Sequence, residues 1–188
     1  MEKISKINTL ISEEELQKRV KEMAKQISED YKGKDITFIC ILKGSVFFTV
    51  DLAKNIPSNV KLEFIRVSSY HGTESTGKIE LKLDLKEDIE GKDVIIIEDI
   101  VDTGRTLSYL KEHLKTKKPK SLKICTLLDK KERRVCEMKP EYVGFNIPDK
   151  FVLGYGLDVD ELYRNLPYIG YIDVWYWRRI KKASWKTR

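Results

Sequence analysis

The stretch VIIIEDIVDTGRTL, residues 94–107, joins an apolar run to polar residues that could bind a charged ligand. Three acids are followed by two threonines, a glycine and an arginine: Glu98, Asp99, Asp102, Thr103, Gly104, Arg105 and Thr106. Backbone N–H groups at the start of a helix bind phosphate, and a glycine lets the ligand approach closely. Carboxylates accept hydrogen bonds from sugar hydroxyls and hold Mg²⁺ through oxygen. The set favours a sugar phosphate with a metal ion, whereas an acidic helix N-cap would explain only one acid.

The residues around this stretch indicate how its side chains are positioned. Residues 94–97 are typical of a buried strand, residues 99–104 of a short loop, and residues from about 104 to 115 of a helix. Open α/β sheets bind their ligands at the carboxyl ends of the strands. We therefore expect the acids and the phosphate loop to lie at that edge of a sheet.

The rest of the chain alternates strands with helices. Ser12 and Glu15 form a capping box before an amphipathic helix, and residues 45–56 predict a second helix. Apolar runs predict further strands at residues 36–42, 61–70, 79–85, 93–98, 121–128, 142–146 and 151–155. This alternation predicts an α/β fold with a central parallel twisted sheet flanked by helices.

Composition limits the class of protein. A chain of 188 residues, 41% of them hydrophobic, is suited to one globular domain. Its apolar runs are far shorter than the roughly 20 residues of a membrane-spanning helix, and its start has no signal-peptide core. Cys40, Cys125 and Cys136 lack metal-binding spacing, which favours reduced thiols and a cytoplasmic location.

The net charge of +6 is concentrated at one end of the chain. Residues 171–188 carry six basic residues and one acidic residue, whereas residues 1–170 carry 30 basic and 29 acidic residues. The body is therefore nearly neutral and has no evident nucleic-acid surface. The basic aromatic tail could contact a subunit or a membrane surface, or it could be an accessory segment without a catalytic role.

Five ordered motifs carry a resemblance to a known family. The segment EDIVDTGRT resembles the 5-phosphoribosyl-1-pyrophosphate (PRPP) signature of type I phosphoribosyltransferases, in particular their hypoxanthine–guanine branch. The other motifs are ILKGSVFF (41–48), VSSYHG (67–72), LLDKKERR (127–134) and FVLGYGLDVDELYRNLPYIG (151–170). The resemblance implies a Rossmann-like domain over residues 1–170, with a small hood formed by the chain ends. A short final strand is expected after residue 170, and the length of segment 171–188 departs from the family pattern.

The resemblance also assigns roles to individual residues. Glu98 and Asp99 would hold the ribose hydroxyls, and residues 102–106 would hold the 5′-phosphate. Pyrophosphate would be bound by Lys43, Gly44 and Arg164, with a cis peptide before Lys43. The purine would be bound by Lys130, Phe151 and Val152, the closing lid would contain Ser69 and Tyr70, and the metal ligands would be Glu98, Asp99 and Asp158.

The choice of base depends on Lys130. It follows the apolar run ICTLL and should emerge beside the pocket, whereas Lys131 should point to the opposite face by strand alternation. An ammonium group only donates hydrogen bonds, so it suits the O6 acceptor of hypoxanthine or guanine and disfavours adenine. The relative preference among hypoxanthine, guanine and xanthine stays open.

The implied reaction is a Mg²⁺-dependent displacement at ribose C1, with Asp102 as the base. A purine attacks PRPP, and IMP or GMP and pyrophosphate are the products. The family also implies a homodimer or homotetramer. An RNA-binding regulator with uracil transferase activity is the main alternative, but its signature usually has a tyrosine at the position of Asp102. A DNA-binding repressor of the same fold would need an additional winged-helix domain.

Overall fold

A computed structural model describes residues 7–69 and 79–172 of the chain. Strands and helices alternate through most of this part. The helices are α1 (Glu13–Asp30), α2 (Val46–Lys54) and α3 (Arg105–Lys115), with a short 3-10 helix at Lys131–Arg133. The strands are β1 (Asn8–Ile11), β2 (Ile36–Leu42), β3 (Val60–Ser69), β4 (Ile79–Leu83), β5 (Asp93–Val101), β6 (Ser121–Asp129), β7 (Tyr142–Asn146), β8 (Phe151–Leu153) and β9 (Ile169–Ile172).

Six strands form the central sheet in the order β4-β3-β2-β5-β6-β7. Five neighbouring strands, β3, β2, β5, β6 and β7, run parallel, and β4 is an antiparallel edge strand. The chain moves from β2 to β3 on one side and from β5 to β6 on the other. The carboxyl ends of β2 and β5 therefore flank the point where the strand order reverses, which is where such sheets bind ligands.

Both faces of the sheet are covered, as the alternation of strands and helices predicts. Helices α1 and α2 pack on one face, where Phe38 of β2 and Ile95 of β5 are fully buried. Helix α3 packs on the other face through Leu107, Leu110 and Leu114. Because the central strands are buried on both sides, they are continuous apolar runs rather than alternating ones.

The chain ends form a separate small sheet, the hood, in the order β1-β9-β8. All its pairings are antiparallel. Its own apolar cluster contains Leu153, Val159 and Ile172. The hood that the family resemblance implies is confirmed, and β9 reaches Ile172, so Tyr171 and Ile172 belong to the folded unit rather than to the tail.

Two of the predicted strands differ from the sequence-based expectations, and the predicted helix cap does not. Strand β5 continues through Asp99 to Val101, because these residues still pair with β6 as far as Asp129. The strand predicted at residues 151–155 ends at Leu153 and pairs within the hood instead of the central sheet. The capping box is as predicted: Ser12 accepts from the Glu15 backbone N–H, and Glu15 accepts from that of Ser12.

Candidate phosphoribosyl and base site

The loop between β5 and α3 is shorter than predicted and consists of residues 102–104. Gly104 is the N-cap of α3 with φ +83°, a left-handed conformation that suits glycine. Gly104 has no side chain that could cap the helix, and the Arg105 backbone N–H donates to Thr103 Oγ1 over 3.4 Å. The alternative in which Asp102 is only an N-cap is therefore wrong, and the first turn of α3 presents its backbone N–H groups to the cleft.

A cleft of about 230 Å³ lies beside this loop, between β5, α3 and the ends of β2 and β3. Its lining consists of residues of the segment from Glu98 to Leu107 and of apolar residues from β2 and β3: Ile41, Leu42, Val67, Glu98, Ile100, Val101, Asp102, Thr103, Gly104, Thr106 and Leu107. Five of the predicted ribose and 5′-phosphate residues therefore line one cavity. Arg105 also starts α3 but is exposed.

Glu98 and Asp99 form an acidic pair near the carboxyl end of β5, in which Glu98 is buried and Asp99 is partly buried. Only 8% of Glu98 is exposed, and the Asp99 backbone N–H donates to Glu98 Oε1 over 3.2 Å. Desolvation, reinforced by the neighbouring Asp99 charge, raises the pKa of Glu98 well above its usual range. Desolvation also raises the pKa of Asp99, although Arg164 opposes this shift. Hydroxyl donors from a ligand would reduce the cost of burying these two acids.

The residues after β2 contact the acidic pair directly. The Leu42–Lys43 peptide is cis, as the resemblance implies. A Cβ on Gly44 would lie 1.5 Å from Asp99 Oδ2, so a side chain at residue 44 cannot coexist with this position of Asp99. A Cβ on Gly156 would lie 1.9 Å from the carbonyl oxygen of Gly44. The backbone of Gly44 therefore packs between the Asp99 side chain and the backbone of Gly156.

The hood places a second cation beside the same edge. Arg164 Nη2 lies 2.8 Å from Asp158 Oδ1, and Arg164 Nη1 donates to the carbonyl oxygen of Gly156 over 2.7 Å. Arg164 Nε is buried and has no hydrogen-bond partner. Lys43 Nζ pairs with Glu161 Oε2 at 2.8 Å, and Arg164 is 3.3 Å from the same carboxylate. The two predicted pyrophosphate cations therefore lie together, each paired with an acid.

Asp102 faces an arginine that sequence reasoning missed. Arg133 Nε lies 3.1 Å from Asp102 Oδ1, and Arg133 Nη1 lies 3.5 Å from Asp149 Oδ1. The contact with Asp102 is an ion pair without hydrogen-bond geometry, since the buried Oδ1 atom has no hydrogen-bond partner. Asp102 Oδ1 therefore accepts no hydrogen bond within the described residues, and a ligand N–H group that donates to it would compete with the Arg133 ion pair.

The predicted base-binding residues converge from β6 and β8. Lys130 is only 7% exposed, and its Nζ donates to the carbonyl oxygen of Lys150 over 2.6 Å. Phe151 and Val152 follow in β8; Phe151 is partly buried and Val152 is buried. Lys131 is exposed, in agreement with its predicted solvent-facing position.

The predicted lid is only partly covered by the described residues. Ser69 is the last residue of β3, whereas Tyr70 lies outside the described residues.

Among the described residues, no group of three or more side chains is gathered as a ready metal site. The predicted metal ligands come from two parts of the chain. Glu98 and Asp99 lie in β5, whereas Asp158 follows β8 and is paired with Arg164.

Sequence reasoning missed Arg133, Arg134, Asp149 and Glu161. The two arginines stand in LLDKKERR, three and four residues after Lys130. Their position in a polar run directly after a buried strand could have indicated a role at the site. In the structure, the 3-10 helix turns this run back toward the β5–α3 loop. Glu161 and Asp149 had no comparable signal, since their partners Lys43 and Arg133 are distant in sequence.

Known proteins resemble this chain over most of its length. Residues 8–160 match the phosphoribosyl transferase domain family. A hypoxanthine-guanine phosphoribosyltransferase of Staphylococcus epidermidis is 54% identical over 164 residues, which cover 87% of this chain and 92% of that protein. A crystal structure of a hypoxanthine-guanine phosphoribosyltransferase from Bacillus anthracis has a TM-score of 0.82 and 52% identity, covering 87% of this chain and 95% of that one. A hypoxanthine phosphoribosyltransferase structure from Staphylococcus aureus has a TM-score of 0.84 and 51% identity, covering 88% of this chain and 91% of that one.

Proposed function

The chain belongs to the phosphoribosyltransferase family, and on that premise we propose that it transfers the phosphoribosyl group of PRPP to hypoxanthine or guanine. IMP or GMP and pyrophosphate are the products, so the enzyme serves purine salvage. The single observation that carries the choice of base is buried Lys130, whose ammonium group lies beside the residues that precede β8. The identity of 52–54% to hypoxanthine-guanine enzymes supports the same choice.

The reaction is a displacement at ribose C1. The purine N9 atom forms the new bond to C1 while the bond from C1 to the pyrophosphate oxygen breaks. The proton on N7 passes to Asp102. Support for this role comes from Asp102, which lines the same cleft as the 5′-phosphate loop and whose Oδ1 atom accepts no hydrogen bond although it forms an ion pair with Arg133. A base in such a position typically contributes about 10²–10⁴-fold to the rate.

Glu98 and Asp99 bind the ribose hydroxyls in this proposal. The Glu98 side chain is buried and that of Asp99 is partly buried, so their hydrogen-bonding capacity is directed at a ligand more than at bulk water. The backbone N–H groups of Asp99 and Ile100 already donate to Glu98 and Asp99, and two ribose hydroxyl groups would supply further donors. Gly44 contributes by its missing side chain, because any Cβ there would displace Asp99.

Lys43 and Arg164 bind the pyrophosphate. Each is paired with an exposed or partly exposed acid, Glu161 or Asp158, so a polyanion competes with these acids for the same cations. The Lys43–Glu161 pair is solvent-exposed, and ion pairs of this kind contribute little to the stability of the fold. Exchange of a carboxylate for pyrophosphate oxygens therefore costs little, and the arrangement suits a leaving group that must also depart.

The oxygen donors of the site suit a Mg²⁺ ion that binds together with the substrate. Glu98, Asp99 and Asp158 are all oxygen donors, and Mg²⁺ is usually held by one or two carboxylates together with phosphate oxygens. The absence of a preformed three-residue cluster among the described side chains agrees with that mode and not with an all-protein cage. When bound, Mg²⁺ would neutralise charge on the pyrophosphate.

Location and assembly complete the proposal. The three cysteines are free, which suits a reducing cytoplasm. The described residues contain no helix with the length and apolar character needed to cross a membrane. A homodimer or homotetramer is the proposed assembly.

A panel of bases assayed with PRPP and Mg²⁺ tests the function. Hypoxanthine and guanine should give IMP and GMP with release of one pyrophosphate each, whereas adenine and uracil should give almost no nucleotide. Formation of UMP would favour the RNA-binding regulator instead, and the lack of nucleotide from every base would overturn the assignment.

A further inference from the structure

Arg134 connects the end of β6 to the loop that follows β5. Its guanidinium pairs through Nη2 with the carboxylate of Asp129, the last residue of β6. Nε donates to the backbone carbonyl of Asp102 over 3.3 Å, and Nη1 donates to that of Met138 over 2.6 Å. The side chains are 14% exposed for Arg134 and 2% exposed for Asp129. One largely buried guanidinium therefore contacts three points of the chain, at Asp129, Asp102 and Met138.

The residues that follow Arg134 contact the same loop. The Val135 backbone N–H donates to the carbonyl oxygen of Thr103 over 3.1 Å, and Cys136 Sγ donates to it over 3.3 Å. The Lys130 backbone N–H donates to the carbonyl oxygen of Val101 over 2.9 Å. Three consecutive loop carbonyls, from Val101 to Thr103, thus accept hydrogen bonds from the segment after β6.

Gly104 shows how closely the two segments pack. A Cβ built on Gly104 would lie 2.9 Å from Arg134 Cδ and 2.7 Å from Cys136 Sγ. Both distances are shorter than a Cβ atom tolerates, so the start of α3 rests on these side chains. A displacement of Arg134 would therefore change the position of the helix terminus that receives the phosphate.

We propose that Arg134 is a positioning residue for phosphoribosyl transfer: anchored by Asp129, it fixes the Asp102–Gly104 loop relative to Lys130. This inference rests on the proposed function, because it concerns how the base-binding lysine and the phosphate loop keep one geometry. Arg134 does not touch the reacting atoms. It acts through the Asp102 backbone, which carries the carboxylate proposed as the base.

Lysine cannot replace this arginine. A guanidinium is a planar fork whose donors reach several acceptors at fixed angles, whereas an ammonium is a point charge on a flexible stem. Lysine at residue 134 would keep a charge for Asp129 but could not serve both the Asp102 and the Met138 carbonyls. A misplacement of about 1 Å can cost roughly 10²-fold in rate.

The test compares Arg134→Lys with a matched control. Arg134→Lys should lower kcat with hypoxanthine by about 10–100-fold, at a temperature where the variant is fully folded. Arg19 is the control, because its guanidinium also donates to two backbone carbonyls, Val143 at 2.8 Å and Gly144 at 3.0 Å, away from the site. Arg19→Lys should lower thermal stability without changing kcat.

A second variant separates positioning from charge neutralisation. Asp129→Asn combined with Arg134→Met removes both charges, so no buried carboxylate is left without its partner. The double variant should fold and should still have a reduced kcat, because the Asp102 carbonyl has lost its donor. Recovery of the parent kcat in the double variant would show that Arg134 only neutralises Asp129, and would overturn the inference.

The parent enzyme separates this inference from the proposed function. If the parent forms IMP and Arg134→Lys has the same kcat, the positioning role is wrong and the function stands. If the parent forms no nucleotide from any purine, the function itself is wrong.

Discussion

Lys130 Nζ donates to the carbonyl oxygen of Lys150 over 2.6 Å, and it lies 3.5 Å from Asp149 Oδ1. This contact joins the end of β6 to the residue before β8. The buried ammonium group of Lys130 is thus held by a backbone carbonyl at the residue before β8. The proposed role of this ammonium group is to donate to an acceptor on the base, which leads to the first prediction.

Lys130→Ala should lose kcat/KM for hypoxanthine and keep the affinity for PRPP. A buried acceptor left without its donor costs about 1–3 kcal/mol, and a site built on such a bond can discriminate by roughly 10⁴-fold or more. Lys131→Ala is the matched control, because Lys131 is exposed and should change neither quantity. Steady-state kinetics with hypoxanthine and adenine make the measurement. Efficient use of adenine by the parent would contradict the role of Lys130.

Asp102→Asn should leave PRPP binding nearly intact and lower kcat by roughly 10²–10⁴-fold. The reason is that an amide cannot take the purine N7 proton. Gly104, and not Asp102, is the N-cap of α3, so the variant should keep the thermal midpoint of the parent. Both quantities are measured on one preparation. A lower midpoint with an unchanged kcat would show a structural role instead.

Glu98→Gln should stabilise the protein without substrate at neutral pH. Burial raises the pKa of Glu98 above its ordinary value of 4.5, so the folded state keeps a proton that the unfolded chain releases. Stability from this group is present below about pH 4.5 and is lost as pH rises through the folded pKa. Glutamine stays neutral and avoids that loss.

Thermal melts from pH 4 to pH 8 measure this effect. The midpoint of Glu98→Gln should exceed that of the parent at pH 7–8 by a few degrees, since each kcal/mol shifts it by about 2–4 °C in a chain of this size. The difference should vanish near pH 4.5. Glu137→Gln, which changes an exposed residue, should leave the melting curve unchanged. Equal midpoints for Glu98→Gln and the parent at every pH would contradict a raised pKa of Glu98 in the folded state.

Removal of divalent metal should abolish turnover reversibly. Glu98, Asp99 and a polyphosphate cannot share a site as bare charges, so a cation is needed to reduce their repulsion. Excess chelator should stop IMP formation, and added Mg²⁺ should restore it. Isothermal titration of PRPP with and without Mg²⁺ gives a second readout. Full activity in excess chelator would exclude a metal requirement.

Deletion of residues 173–188 should change kcat with dissolved substrates by no more than a few-fold. The proposed site residues end at Arg164, and the hood ends at β9, in which Ile172 is buried. A truncation after residue 172 keeps that strand complete. Deletion of residues 169–188, which removes β9, is the comparison and should unfold the hood. A folded but inactive 1–172 variant would show that the catalytic unit extends into the tail.

The local patterns in the sequence were sufficient for the sheet and for most elements. Buried strands such as β2 and β5 are continuous apolar runs, and this pattern depends only on burial of both faces. The end of β5 was not predictable from the sequence, because the mixed polar and apolar residues from Asp99 to Val101 are also compatible with a loop. Their pairing with β6 decides that they are strand, and such pairing is a tertiary contact.

The sequence by itself determined the residue types of the site: acids, hydroxyls and a glycine after one strand, and a lysine after each of two others. Their chemistry follows from spacing along a short loop. Only the tertiary structure decided the contacts between distant segments. Gly44 against Asp99, Arg133 against Asp102 and Arg134 between two loops all arise because parallel strands bring their carboxyl ends to one edge. Sequence periodicity reports which face of an element is buried, and it carries no information on which loops meet at that edge.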